Sequence, residues 1–175
     1  MDRRITIMHL AHPGIHTSGW HMLMGIARAE PMVLVPGVGP LITERSSIRG
    51  FDLGLEPVFI DGRRVLNPAL LSDAVLLADI NAMKYGLELS RFGIQTYIAD
   101  SKSGVLTARL NLGYGPVGRD IKVQEKPLMN AVNNSEVPIV PSIGNLRGNS
   151  SEKLLLESDE VAAAVAIMFR KKGFD

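Results

Sequence analysis

Residues 73–100, DAVLLADINAMKYGLELSRFGIQTYIAD, decide the fold. Two readings compete. In one, a single helix runs from Pro68 to Phe92. In the other, which the pattern favours, the stretch is a βαβ unit: strand 74–78, helix from Ile80 to Phe92, strand 94–99. Asp79 would cap that helix, and Gly93 would stop it, because glycine takes the left-handed conformation past a helix end at little cost. Two parallel strands joined in this way need a right-handed crossover.

The flanks repeat the alternation. Towards the N-terminus, RITIMHL (4–10) is predicted as a strand, with Ile5 and Ile7 on one face and Thr6 and Met8 on the other. HPGIHTSG (12–19) is a turn-rich loop, and Ser18 can cap the helix that follows. In that helix Trp20, Leu23, Met24 and Ala27 lie at helical spacing. Met22 and Ile26 fill other faces, so burial on most sides is expected. PMVLVPG (31–37) is a wholly apolar strand, suited to a sheet covered on both faces. VGPLITERSSIRGFDLGLE (38–56) reads as a long loop. Asp61-Gly62, between the apolar runs of PVFIDGRRVL, predicts a β-hairpin. Asn67-Pro68 pairs a good cap with a proline preset for the first helical position, opening a short helix.

Towards the C-terminus, 104–115 alternates as a strand does, 126–134 is a short helix and EVPIVPS (136–142) a buried strand. The last helix is capped by Ser158. Asp159 and Glu160 sit in its first turn and Arg170, Lys171 and Lys172 in its last, matching the helix dipole. Val161, Ala164, Val165 and Met168 form its inner face. Met8, Met22, Met24 and Met168 are read as core fillers, and Lys84 and Glu88 as an exposed i, i+4 pair. The sum is an α/β fold: a single domain over 1–175, with a mainly parallel, Rossmann-like three-layer sheet and an added β-hairpin.

Composition narrows the function. The chain has no cysteine, so disulfides and thiolate metal sites are excluded. Its net charge is +1, dispersed in short runs, and aromatics are 5% of residues. A nucleic-acid partner needs a basic stripe and stacking surfaces, so none is expected. No apolar run reaches the ~20 residues of a membrane helix, and the N-terminal run is too short for a signal peptide. No membrane partner is expected, and the simplest reading is a soluble cytoplasmic protein.

Open parallel sheets bind ligands beyond the carboxyl ends of their strands. Those ends carry His9, His12 and His16; Gly37 and Gly39; Asp79 and Asn81; Asp100, Ser101, Lys102 and Ser103; and Ser142, Gly144, Asn145 and Arg147. All four histidines fall between positions 9 and 21. His12 and His16 are candidate acid–base groups, since an imidazole titrates near neutral pH, and Asp100 could orient one of them. Ser18, Arg45, Arg49 and Lys102 could hold an anionic substrate, with Asp79, Asn81 and Asn145 adding polar contacts. These groups suit an enzyme of the transferase or hydrolase type acting on a small anionic metabolite or nucleotide. One alternative is a metal-dependent hydrolase using His12, His16 and Asp79 or Asp100. Such a set has room for a divalent cation as cofactor, though HExxH spacing is absent. Another is a non-catalytic ligand-binding or assembly protein. A homo-oligomer is expected, because the long apolar helix and VAAAVAIMF (161–169) could pack on a second copy.

Overall fold

Met32–Pro36 is buried along its whole length, as a strand with helices on both faces must be. The computed structural model that shows this describes residues 3–11, 17–44, 58–60 and 62–175. The elements in chain order begin with β1 (Thr6–Leu10), α1 (Thr17–Ala29), β2 (Met32–Pro36), α2 (39–44) and the hairpin strands β3 (Val58–Ile60) and β4 (Arg63–Val65). A 3-10 turn (Pro68–Leu70) leads into α3 (Leu71–Arg91) and β5 (Thr96–Ile98). Then come β6 (Leu106–Leu110), β7 (Gly118–Val123), α4 (Glu125–Asn133), β8 (Val137–Ile139), β9 (Ile143–Leu146), β10 (Asn149–Leu155) and α5 (Ser158–Lys171).

The first sheet has the order β1-β2-β8-β5, and every pairing in it is parallel. Successive side chains on a strand point to opposite faces. Met32 and Leu34 therefore join Leu23, Ala82, Tyr85 and Leu89 of α1 and α3 in one core. Val33 and Val35 join Leu128 of α4 and Val161, Val165 and Phe169 of α5 in another. The fold is α/β, with this parallel sheet between two helical layers. The hairpin pairs antiparallel, Val58 with Val65, and Gly62 at φ +75° makes the turn. Asp61 lies outside the described residues.

Four expectations need correction. Residues 74–78 are helix, not strand: α3 is continuous over 21 residues. Ala74, Ala78, Ala82, Tyr85 and Leu89 are buried, a spacing of three and four, whereas a strand would bury every second residue. The run AVLLA suits either element, and length should have arbitrated. Within the expected loop 38–56, residues 39–44 are helical, and 45–56 lie outside the described residues. Helix α1 buries one face only, for Met22 is 60% exposed and is no core filler. Finally, Glu157 is the N-cap of α5 and Ser158 its first residue.

A second sheet, β10-β9-β6-β7, carries one parallel pairing (β6 with β9) between two antiparallel ones. Of its strands the sequence reading anticipated only β6. Its outer strands are half polar, as in NSSEKLL and GRDIKV, and hide their periodicity. Leu154 and Leu156 bury against α5 and fasten this sheet to the rest.

Candidate functional site

Parallel strands put their carboxyl ends on one edge, and two polar clusters form there. The first surrounds the turn after β2. Gly37 N–H donates to the Leu10 carbonyl at 2.7 Å, joining the ends of β1 and β2. A Cβ at Gly37 would lie 3.1 Å from that carbonyl oxygen and from Ser158 Oγ, so the turn is tight. Asn81 of α3, 1% exposed, donates from Nδ2 to the Gly37 carbonyl at 3.1 Å. Ser142, buried beyond β8, donates to the Pro36 carbonyl at 3.3 Å. His9 Nε2 meets Ser158 Oγ at 2.8 Å. Together His9, Gly37, Gly39, Ser142, Glu157 and Ser158 line a cleft of about 130 Å³, with Val38, Ile42 and Leu155 as its apolar wall. Gly39 faces open space, since a Cβ there would have no neighbour within 4 Å.

The second cluster joins α3 to the second sheet. Asp79 accepts from Ser101 N–H at 2.9 Å and from Ser101 Oγ at 2.6 Å. Lys153 Nζ donates to the Ser101 carbonyl and, at 2.5 Å, to Asn145 Oδ1. Asn145 and Lys153 face each other across β9 and β10. Asp100 turns inward on its own loop, accepting from the N–H groups of Lys102 at 3.1 Å and Ser103 at 2.9 Å. Sequence reading assigned Asp100 no structural task, yet it caps this turn.

Of the sequence-predicted site residues, the structure brings Asp79 and Asn145 into one network and aims Asn81 at the β2 turn. His12, His16, Arg45 and Arg49 lie outside the described residues, as does the side chain of Ser18. Lys102 is exposed on the Asp100 turn. His9 is exposed, and its Nε2 is hydrogen-bonded to Ser158. Among the described residues, no three His, Asp or Glu side chains gather as a metal ion would require. Sequence reading missed Lys153, whose only signal is its pairing with Asn145. It also took Ser158 for a cap, when its hydroxyl serves His9.

The model of the amino acid kinase family matches residues 23–173. Among solved structures, smu.665 of Streptococcus mutans UA159 is similar with a TM-score of 0.78 and 22% identity, over 95% of this chain and 69% of that one. N-acetylglutamate synthase of Neisseria gonorrhoeae, complexed with coenzyme A and N-acetylglutamate, gives 0.77 and 16% over 97% of this chain. This chain spans only 40% of that synthase. UMP kinase of Ureaplasma parvum gives 0.53 and 14%, over 97% of this chain and 66% of its own. At these identities the likeness is one of fold. No curated protein matches the chain.

Proposed function

The chain belongs to the amino acid kinase family, and from that premise we propose that it binds a small carboxylate or nucleotide in the cleft at the ends of β1 and β2 and takes part in group transfer to or from it. The carrying observation is the cleft itself. It sits where parallel sheets receive ligands, and its floor is a glycine turn held from three sides by Leu10, Asn81 and Ser142. These hydrogen bonds hold the turn in place and so fix the shape of the cleft before a ligand enters. A histidine of the segment 9–16 moves the proton. His9 lines the cleft, His12 and His16 are close to it in sequence, and Arg45 and Arg49, soon after α2 in sequence, are the proposed source of positive charge.

The solved relatives bind N-acetylglutamate, arginine and coenzyme A, or act on UMP, so these and ATP make the first panel. Thermal unfolding with each compound tests the reading. At least one should raise the Tm, and Gly39→Leu, which projects a side chain into open space, should abolish that rise. A panel without any shift, or a shift indifferent to Gly39→Leu, rejects the site.

One observation favours a second reading, binding without chemistry. Among the described residues the cleft carries no Lys or Arg to stabilise a transferring group. Ligand binding with no turnover of any panel pair would select it.

A further inference from the structure

The second sheet buries one face and exposes the other. Leu106, Ala108 and Leu154 point into the core. Side chains alternate along a strand, so Thr107 and Arg109 of β6 point outward. The register fills in the rest of that face. Arg109 lies directly opposite Arg119 of β7, and Thr107 opposite Lys122. Leu146 pairs with Ala108, so Arg147, the next residue, stands beside Arg109 on the outward side. Its backbone N–H donates to the Ala108 carbonyl at 2.8 Å. Three arginines thus form one row across neighbouring segments of the sheet.

They meet at Asp120. This residue sits at φ +53°, in the left-handed region, where β7 carries one residue more than β6. The Arg147 guanidinium reaches over to donate to the Asp120 carbonyl. Arg109 Nη1 stands 3.9 Å from Asp120 Oδ2, and both side chains are well exposed. Arg119 has no ion pair among the described residues. Arg147 Nε is buried and meets no acceptor among them. Such a cluster is unfavourable by itself. Like charges directly opposite on a sheet repel, and a buried donor without an acceptor is costly. The other charges of these strands are engaged elsewhere. Glu152 accepts from Asn149 Nδ2 at 3.4 Å, and Lys153 is committed to Ser101 and Asn145.

We propose that Arg109, Arg119 and Arg147 bind a phosphate group, free or carried by a small metabolite, at a site separate from the cleft. Three guanidinium charges against the one carboxylate of Asp120 leave two positive charges. A phosphate dianion balances both, whereas a monocarboxylate would leave one. Guanidinium forks also match pairs of phosphate oxygens. Adjacent strands lie about 4.8 Å apart, so the outer arginines of the row start about 10 Å apart at the backbone. Side chains of that length can close on a group at its middle. Lys122, on the same face, adds to the attraction. None of these residues lines the cleft beside His9, and they occupy the face turned away from the core. A phosphate held there ties β6, β7 and the turn after β9 together, and so stabilises the folded chain.

Calorimetric titration with inorganic phosphate at fixed ionic strength tests the site. It is run on the wild type and on Gly39→Leu, whose leucine fills the candidate cleft, so that an anion bound in the cleft is told apart. Gly39→Leu should still bind one phosphate per chain. Arg119→Gln and Arg147→Gln should each weaken that binding about tenfold or more in either background, with unchanged far-ultraviolet circular dichroism. Acetate, a monoanion, should not compete. Glycerol phosphate should compete, and its rank against inorganic phosphate tells a carried group from a free one. Stability gives an independent readout. In a phosphate-free amine buffer Arg119→Gln should melt above the wild type, because it removes the repulsion with Arg109. Saturating phosphate should reverse that order. Phosphate that acts no more strongly than chloride overturns the proposal. So does binding lost in Gly39→Leu alone, or binding indifferent to both arginine variants. A lower Tm for Arg119→Gln without phosphate does so too, for Arg119 would then serve the fold.

Discussion

Gly115 shows how much one side chain can depend on its backbone. At φ +72° a Cβ there would stand 2.0 Å from the Leu66 carbonyl oxygen, which cannot give way because Leu66 N–H is tied to the Tyr114 carbonyl at 3.0 Å. Gly115→Ala should therefore cost about 2–4 kcal/mol, from overpacking together with the left-handed backbone. Urea unfolding would measure it, and a loss under 1 kcal/mol would mean the loop shifts freely. Tyr85 offers a second test at this scale. Burial raises its phenol above the usual value, so the fold favours the neutral form. The unfolded chain then loses its proton first as pH climbs past about 10. Stability from this source is whole below that pH and falls as pH rises towards the folded value. Tyr97 is raised too, by burial first and then by the charges of Asp100 and Glu136. Tyr85→Phe, which keeps the ring against Trp20, should unfold in urea with a shallower loss between pH 9 and pH 11. Equal slopes in both proteins would refute the assignment. None of this was legible in the sequence, where Gly115 is one glycine among seventeen and Tyr85 a residue on a helix read as starting only at Ile80.

Elements were legible wherever one signal dominated. Burial over a full run revealed β2, Asp-Gly the hairpin, and opposed end charges α5. Asn67 caps as expected, its Oδ1 accepting from Ala69 N–H at 2.9 Å. The misreading fell on α3, whose first half is so evenly apolar that alternation and helical period fit it equally. Two apolar faces, one for the core and one outward, produce that evenness. Helical packing makes its own prediction here. Ala78, fully buried in a further apolar cluster with Val38, Leu66 and Ile143, has no room to grow, so Ala78→Leu should cost roughly 1–3 kcal/mol. Lys84→Ala, on the exposed side, should stay within about 0.5 kcal/mol. Chemical denaturation of the two variants decides the matter. If Ala78→Leu were neutral, the close packing of α3 on that core would be wrong. The Lys84–Glu88 pairing read from sequence is not formed; Glu88 takes Arg91 instead, three residues on.

At the scale of the whole molecule, two sheets must be held in register if the strand ends are to share a ligand. Apolar contact alone is non-directional, and the Asp79–Ser101–Lys153–Asn145 chain supplies direction. It runs from α3, through the loop after β5, to β10 and β9. The sequence reading placed Asp79 and Asn145 at strand ends; Asp79 is in α3 and Asn145 is within β9. Asn145 is there because β9 exists, and Asp79 because a helix, not a strand, carries it past Ser101. Lys153→Met keeps the aliphatic stem and removes the charge, leaving the Ser101 carbonyl and Asn145 Oδ1 without their donor. Each abandoned buried acceptor costs about 1–3 kcal/mol. Asn145→Leu in the same background should then cost less than it does alone, with a coupling of roughly 0.5–3 kcal/mol between the two positions. A double-mutant cycle in urea measures that coupling. Strict additivity would show that the Lys153–Asn145 hydrogen bond carries no energetic coupling. If the network instead sets the register of the site, Lys153→Met should also weaken whichever panel ligand raises the Tm, although Lys153 is not among the residues lining the cleft.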